Sequence, residues 1–564
     1  METALERLIH HIATTPHQFA IRIIEPGLST RELRYKDIHQ LMASVAQGLQ
    51  NASLGTGKPA LLVLPTSCQL LGCYLGCMIS GIHPIIVAPP QDSHSPSRFA
   101  IHLREIVDRL DAAVVLCKAD LGHGIKEHLG TPVLDAAAIC DEPADDGILA
   151  DILSSDIHER RIAHLQATSG STGTPKAAVV THSNIASNVD AIGRVIGVRS
   201  NDLLVSWLPW SHDMGLIGLS YAFYWGIPAV FSDVSNFIRN PLVWLSWISD
   251  YQGTISPAPN HAFHICARLA ALKPPKHLRL DHWRTALCGA EPVSDKTLAA
   301  FQAAFGRFGL QDTTLRPVYG LAEATLAVSI PSSDQRYRID HIATHSLLNE
   351  KRAEPVERQQ SNMSFIGLGS AIPGHELRIA SEHGDPLPER QIGEIEVRGP
   401  SIIPGYWNSS KETNSLLRDD GFLRTGDLGY VSDGHLYVTG RNKDLLKLGG
   451  RNFSALQIEN FVGRLLPDIV PTTCVAVGMY DEGLQTEALH LLLDMRVVPD
   501  DRMRRHVERD LRSSLTAGLG ITGSYLHWIR AGQLPKTPSG KVQRFLCRQM
   551  LEDKLSERTQ TRTS

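Results

Sequence analysis

Nine consecutive residues, Thr168-Ser169-Gly170-Ser171-Thr172-Gly173-Thr174-Pro175-Lys176, have the chemistry to grip a polyphosphate. Glycines let backbone N–H groups turn toward an anion without a Cβ clash, the Ser and Thr hydroxyls add donors, and Lys176 adds a mobile positive charge. A flexible Gly/Ser surface turn has the same composition. The largely apolar run Ala177 to His182 follows at once and predicts a strand beneath the loop, which favours the ligand reading. The glycine spacing does not fit the Walker pattern G-x-x-x-x-G-K-[ST], and no Ser or Thr follows the lysine. A P-loop NTPase, which would release ADP instead of AMP, is therefore disfavoured.

Such a loop needs a rigid bed. Between Ala60 and Pro90 the chain is apolar for most of its length, and Pro65, Gln69, Gly81, His83 and Pro84 divide it into a strand, a helix over about Cys68 to Ile79, and another strand. This punctuation predicts a buried strand–helix–strand unit and argues against a membrane span. Similar strands at 112–117 and 203–209, with helical stretches between, imply α/β layers with largely parallel strands. At 564 residues the chain exceeds one ordinary core, so at least two domains are expected. With 55 basic and 59 acidic residues the formal charge is only −4, which offers no polyelectrolyte handle for nucleic acid. Nine cysteines, none in a CxxC arrangement, suggest reduced buried thiols and neither a disulfide scaffold nor a zinc site. The start METALERLIHHIATTP lacks a basic n-region and a long apolar core, so no secretory signal is read and a cytoplasmic location is expected.

Downstream of the loop come Trp207-Leu208-Pro209-Trp210-Ser211-His212-Asp213-Met214-Gly215, Gly289-Ala290-Glu291-Pro292, Tyr319-Gly320-Leu321-Ala322-Glu323, Thr425-Gly426-Asp427, Gly440-Arg441-Asn442-Lys443 and Pro535-Lys536-Thr537-Pro538-Ser539-Gly540-Lys541. In type and order these resemble the motifs of the adenylate-forming superfamily of acyl-CoA synthetases, luciferases and peptide-synthetase adenylation domains. The variants Gly-Leu-Ala-Glu-Ala-Thr-Leu at 320–326 and His-Asp-Met-Gly-Leu at 212–216 are more similar to the fatty acyl-AMP ligases, which load acyl carrier proteins. The resemblance covers nearly the whole chain. It implies an α/β fold in which a large N-terminal domain of layered α/β subdomains, residues 1–440, is followed by a hinge at 441–443 and a small mobile α+β C-terminal domain at 444–552. Residues 553–564 read as a disordered polar tail. The polar stretch at about 330–364 reads as an insertion, with a plain solvated loop as the alternative.

The chemistry so implied uses ATP and Mg²⁺. A carboxylate attacking the α-phosphate brings together two anions that repel by about 4 kcal/mol at about 4 Å and an effective dielectric of about 20. By resemblance Glu323 holds Mg²⁺, while Lys541 reaches the carboxylate and the bridging oxygen during adenylation. Thr168, Ser169, Gly170, Ser171, Thr172, Gly173 and Lys176 grip the phosphates. Tyr319 and Gly320, with Gly289 and Ala290, form the slot for the base. Asp427 accepts from the ribose hydroxyls, and Arg441 lies nearby. His212 shapes the carboxylate end of the acyl channel, unless it is a satisfied core histidine. Lys443 marks the hinge about which the small domain would rotate.

The implied reaction joins a fatty or other apolar carboxylic acid to AMP and then acylates a carrier protein. Lys447-Leu448-Gly449-Gly450 and Phe453-Ser454-Ala455 look closer to CoA ligases, and Ser211 stands where an aromatic residue is common, so CoA stays open as the acceptor. A non-catalytic nucleotide-binding relative is a further alternative. It is opposed by the survival of Lys541, Glu323, Asp427 and the glycine loop.

Overall fold

The computed structural model describes the chain outside residues 91–95, 146, 148, 150–161, 169–175, 333–334, 361–362, 449–450, 466–472, 482–483, 485, 496–497, 537–541 and 564. Strand β1 (Phe19–Ile24) turns back antiparallel into β2 (Thr30–Arg34). Strands β3 (Pro59–Val63), β4 (His83–Ile86), β5 (Val114–Cys117) and β6 (Val133–Asp135) then form an all-parallel sheet in the order β4-β3-β5-β6. Every residue of β3, β4 and β5 is buried, as continuous apolar runs covered on both faces must be. The helix Cys68–Ile79 between β3 and β4 starts at Ser67, whose side chain accepts from Leu70 N. This is the strand–helix–strand unit read from 60–90. Among the described residues no helix is long and apolar enough to cross a membrane.

Next, β7 (Ile162–Thr168) and β8 (Lys176–Thr181) pair as an antiparallel hairpin. Strands β9 (Leu204–Ser206), β10 (Ala229–Ser232), β11 (Ile255–Pro259), β12 (Thr285–Gly289) and β13 (Leu315–Pro317) join β1 and β2 in a seven-stranded sheet ordered β13-β12-β11-β9-β10-β1-β2. Only the β1/β2 pair runs antiparallel in it. Helices Val243–Asp250, Asn260–Leu272 and Asp295–Phe305 cover this sheet through a buried aromatic cluster. In it Trp244 meets Trp283 and Phe263 edge-on at 5.5 and 5.2 Å. The packing fixes the carboxyl ends of β11, β12 and β13, which lead into the motif residues.

Between Tyr319 and Arg441 parallel pairing gives way to antiparallel ribbons. Strands β14 (Tyr319–Gly320) and β15 (Ala327–Ile330) pair antiparallel, as do β16 (Ile339–Ile342) and β17 (Met363–Ile366), and β18 (Ser370–Ala371) adds to β15. Strands β19 (Glu376–Ala380), β20 (Gly393–Arg398), β21 (Leu423–Ser432) and β22 (His435–Arg441) form a four-stranded antiparallel sheet. It ends at Arg441. The next strands, β23 (Leu445–Leu448), β24 (Arg451–Ser454), β25 (Thr473–Asp481), β26 (Thr486–Met495) and β27 (Ser524–Arg530), build a separate five-stranded sheet.

The segment read as a polar insertion is folded and packed, not a solvated loop. Ile342, Leu347, Met363 and Phe365 share one buried cluster with Phe453, Ile458, Phe461 and Leu489 of the C-terminal unit. Asp340 Oδ2 anchors its first strand by accepting from Tyr430 OH at 2.8 Å and Arg390 Nη1 at 3.1 Å. Ser364 donates to Asp295 Oδ2 at 3.3 Å, and Lys296 to Gly463 O at 3.2 Å, so the same face touches both halves of the chain. The C-terminal tail also differs from expectation. The helix Arg544–Thr563 carries the backbone through the stretch read as disordered, because Cys547 and Leu551 bury its first turns and leave a helix for the polar residues to extend.

Candidate active site

The β7/β8 hairpin puts Thr168 opposite Lys176, and the Thr168 hydroxyl donates to Lys176 O at 3.3 Å. The intervening Ser169, Gly170, Ser171, Thr172 and Gly173 lie outside the described residues. Gln166 Nε2 donates to Ser211 O at 2.9 Å and so holds the 211–213 turn beside the hairpin. His212 caps the helix Asp213–Trp225. Its Nδ1 accepts from Met214 N at 3.3 Å and lies 2.5 Å from Asp213 Oδ1. Its side chain is 22% exposed. Gly215 belongs to the same turn, where a Cβ would come within 2.3 Å of Pro209 O.

Glu323 sits on a single 3₁₀ turn, Ala322–Ala324, just past β14. Gly320 makes the turn possible, since a Cβ there would meet Leu326 O at 1.9 Å. Buried polar groups lock the loop from behind. The Asn188 amide donates to Ala324 O and Ala327 O at 3.3 and 2.9 Å and accepts from Ala327 N at 3.1 Å. In front, Tyr406 OH donates to Glu323 Oε1 at 2.6 Å, and Lys176 Nζ lies 5.2 Å from the centre of the Tyr406 ring. Burial first, and then the Glu323 charge, push the Tyr406 phenol well above its ordinary value, so it stays a neutral donor. Tyr406 joins the hairpin lysine to the acidic residue, and the sequence reading missed it. It lies in a Pro-Gly-Tyr-Trp stretch that looks like an ordinary turn.

A second centre forms around Asp427, which is buried on β21. Its Oδ2 accepts from Tyr319 OH at 2.6 Å and its Oδ1 from Arg441 Nε at 2.5 Å. Burial and then the Asp427 carboxylate hold the Tyr319 phenol well above its usual range. Glu394 supports the turn from below, accepting from Gly426 N at 3.2 Å. Gly289 ends β12, and a Cβ there would come 2.7 Å from a Val318 methyl, so the strand passes close behind Tyr319. Ala290 follows with φ +65°, a left-handed backbone that is rare outside glycine and often marks a functional constraint. Glu291 then reaches across to the helix Asn260–Leu272, its Oε1 lying 3.0 Å from His261 Nδ1.

The structure thus brings Lys176, Tyr406 and Glu323 into one cluster and Tyr319, Asp427 and Arg441 into another, with Tyr319 and Glu323 only four residues apart. Lys443 lies on the exposed 3₁₀ turn Asn442–Asp444, between the two sheets. Lys541 lies outside the described residues. The base of its loop is fixed, with Lys536 bridging Val542 and its ammonium 3.3 Å from Asp494 Oδ2.

Residues 9–407 match the family described as AMP-binding enzyme. The chain is 32% identical over 535 residues to the medium-chain-fatty-acid–[acyl-carrier-protein] ligase JamA of Moorena producens (strain JHB), covering 92% of this chain and 89% of that one. A structure from studies of fatty acyl-adenylate ligases of E. coli and L. pneumophila superposes with TM-score 0.86 at 26% identity over 99% of both chains. The L. pneumophila fatty acyl-adenylate ligase in complex with acyl adenylate and pyrophosphate aligns with TM-score 0.74 at 27% identity, over 98% of this chain and 96% of that one. The fold is that of the adenylate-forming enzymes, and the chain belongs to the AMP-binding enzyme family.

Proposed function

We propose that this protein activates a fatty acid with ATP and passes the acyl group to the phosphopantetheine thiol of an acyl carrier protein. In the first step a carboxylate oxygen bonds to the α-phosphorus, the bond to the bridging oxygen breaks, and pyrophosphate leaves. In the second the thiol sulfur attacks the acyl carbon, AMP departs with the carboxylate oxygen and the thiol proton is released. The observation that carries this reading is the pair of clusters, Glu323–Tyr406–Lys176 and Asp427–Tyr319–Arg441, rooted at Tyr319 and Glu323 four residues apart on the chain. One offers an anion-handling set, and the other a buried acceptor beside an aromatic ring. Asp427 serves the ribose, Tyr319 with Gly289 and Ala290 the base, and Lys176 with the 168–173 loop the phosphates. His212 stands at the carboxylate end of the acyl site, and Lys541 enters with the small domain, which turns about Lys443. Glu323 fits Mg²⁺, a hard ion commonly bound by one or two carboxylates together with substrate phosphates. The cytoplasm is the proposed location.

Carrier protein is favoured over free CoA by the packed 330–364 segment, whose apolar side chains would have to leave the small-domain cluster for that domain to rotate freely. The test is a mass-spectrometric panel with ATP, Mg²⁺ and fatty acids from short to long, each with no acceptor, CoA or a phosphopantetheinylated carrier protein. Acyl-adenylate that passes to carrier and poorly to CoA is the expected result. Efficient acyl-CoA formation would reassign the acceptor, and activity restricted to amino or aryl acids would sink the fatty-acid assignment.

A further inference from the structure

The small domain carries a line of charge that the adenylation chemistry does not use. Helix Asp501–Leu519 buries Val507, Leu511, Leu515 and Leu519 against the C-terminal sheet. Flanking that buried face, Arg502, Arg505, Arg509 and Arg512 are all exposed. Their spacing of three, four and three places them within an arc of about 80°, taking about 100° per residue. No carboxylate stands in that arc. Asp501 lies at its edge, 3.7 Å from Arg504, Asp510 pairs with His506 and Arg509 on the other flank, and Glu508 accepts from Trp528 Nε1 at 3.0 Å. Among the described residues no ion pair or hydrogen bond joins Arg502, Arg505 or Arg512 to an acid.

Four like charges in one row repel each other, and the row stands on a chain of formal charge −4, so general solubility does not account for it. Its position is also informative. The helix connects two parallel neighbours, β26 and β27. Its N-terminus therefore lies at the sheet end where β26 finishes and β27 stops, and there Ala531 N donates to Met495 O at 2.9 Å. From that end the chain continues into Pro535-Lys536 and the loop beyond. The row thus starts beside the departure point of the motif loop. Toward the other end stands Tyr525, 43% exposed, its hydroxyl donating to Asp481 Oδ2 at 2.8 Å. Arginine with exposed tyrosine is the composition of protein-binding surfaces.

We propose that the Arg502–Arg505–Arg509–Arg512 stripe docks an acidic face of the acyl carrier protein during acyl transfer, an inference that rests on the carrier-loading function above. Guanidinium forks on a rigid helix match carboxylates on a second helix, and they would steer the carrier toward the end of the small domain from which the motif loop departs.

The test compares wild type with R502E/R505E/R512E, leaving Arg509 with its own partners, and with the milder R502Q/R505Q/R512Q. Fatty-acid-dependent pyrophosphate release reports an intact fold and adenylation site, and acyl transfer to free pantetheine reports the thiol step. The third readout is kcat/KM for a panel of phosphopantetheinylated carrier proteins at rising salt. Expected are unchanged pyrophosphate release and pantetheine transfer, with carrier kcat/KM lowered about tenfold or more, chiefly through KM, and with less salt dependence than wild type. Equal carrier kinetics in all three proteins would overturn the proposal and leave the function standing. A wild type that forms acyl-adenylate yet loads only CoA would overturn both. Wild-type binding to phosphatidylglycerol vesicles that the variants lose, with carrier kinetics intact, would reassign the stripe to a lipid surface and overturn it as well.

Discussion

Tyr406 contributes one hydrogen bond and one ring face, and both meet groups that the proposed function assigns to phosphate and its metal. Its 2.6 Å bond fixes the Glu323 carboxylate, and its ring sits 5.2 Å from the Lys176 ammonium. Tyr406→Phe keeps the ring and removes the bond, which for a charged acceptor contributes about 1.5 kcal/mol, or about tenfold in rate. The expected outcome is a pyrophosphate-release kcat/KM about tenfold lower and a raised Mg²⁺ concentration at half-maximal rate. An unchanged Mg²⁺ titration would separate Tyr406 from the metal-binding role. The residues legible in the sequence, Glu323, Tyr319 and Asp427, each lie in a short run of unusual composition. Tyr406 does not, and only folding brings it to Glu323, 83 positions away. The ion pair of Asp427 with Arg441 was likewise not readable, since a motif gives residue types and order but not which side chains satisfy one another.

At the level of elements, β7 brings the first hairpin arm past a buried histidine. His164 has its Nδ1 3.2 Å from Tyr74 OH, and burial, followed by the neighbouring His182, lowers its pKa from 6.5 to about 3. Its folded form is therefore neutral, while the unfolded chain takes up a proton below about pH 6.5. The associated stability is fully present above pH 6.5 and is lost as pH falls from 6.5 toward about 3. The urea midpoint should drop between about pH 7 and about pH 4.5, and His164→Asn should flatten that slope even if it lowers the plateau. A slope identical in both proteins would show that other groups control it. The strand–helix–strand unit at 60–90 was legible because continuous apolar runs broken by Pro and Gly have few other folds. The β16/β17 pair was not, because its buried residues are spread among charges and their partners come from β24, β26 and the helix Ala455–Leu465.

Across the whole molecule, that pair makes the insertion a bridge between the helix Asp295–Phe305 and the C-terminal sheet. Phe365 is 5% exposed within the shared cluster. Phe365→Ala removes about 3–5 kcal/mol of burial by the usual cost of emptying an aromatic site. Hydrogen exchange should accelerate in the helix Ala455–Leu465 while fatty-acid-dependent pyrophosphate release persists; unchanged exchange in that helix would mean that the contact does not restrain the small domain. Length and motif order suggested two domains, whereas the bridge depends on contacts between distant segments, which linear composition does not record. The link between Asp427 and Arg441 also acts at this scale. Arg441 is the last residue of β22, immediately before the crossing to the second sheet, and it is latched to Asp427, the acceptor that the proposed function gives to the sugar. On the proposed function a ribose drawing on Asp427 would share that carboxylate with the latch, which ties nucleotide binding to the joint. On the proposed function an order of events is built in, with nucleotide first and the swing of the small domain second.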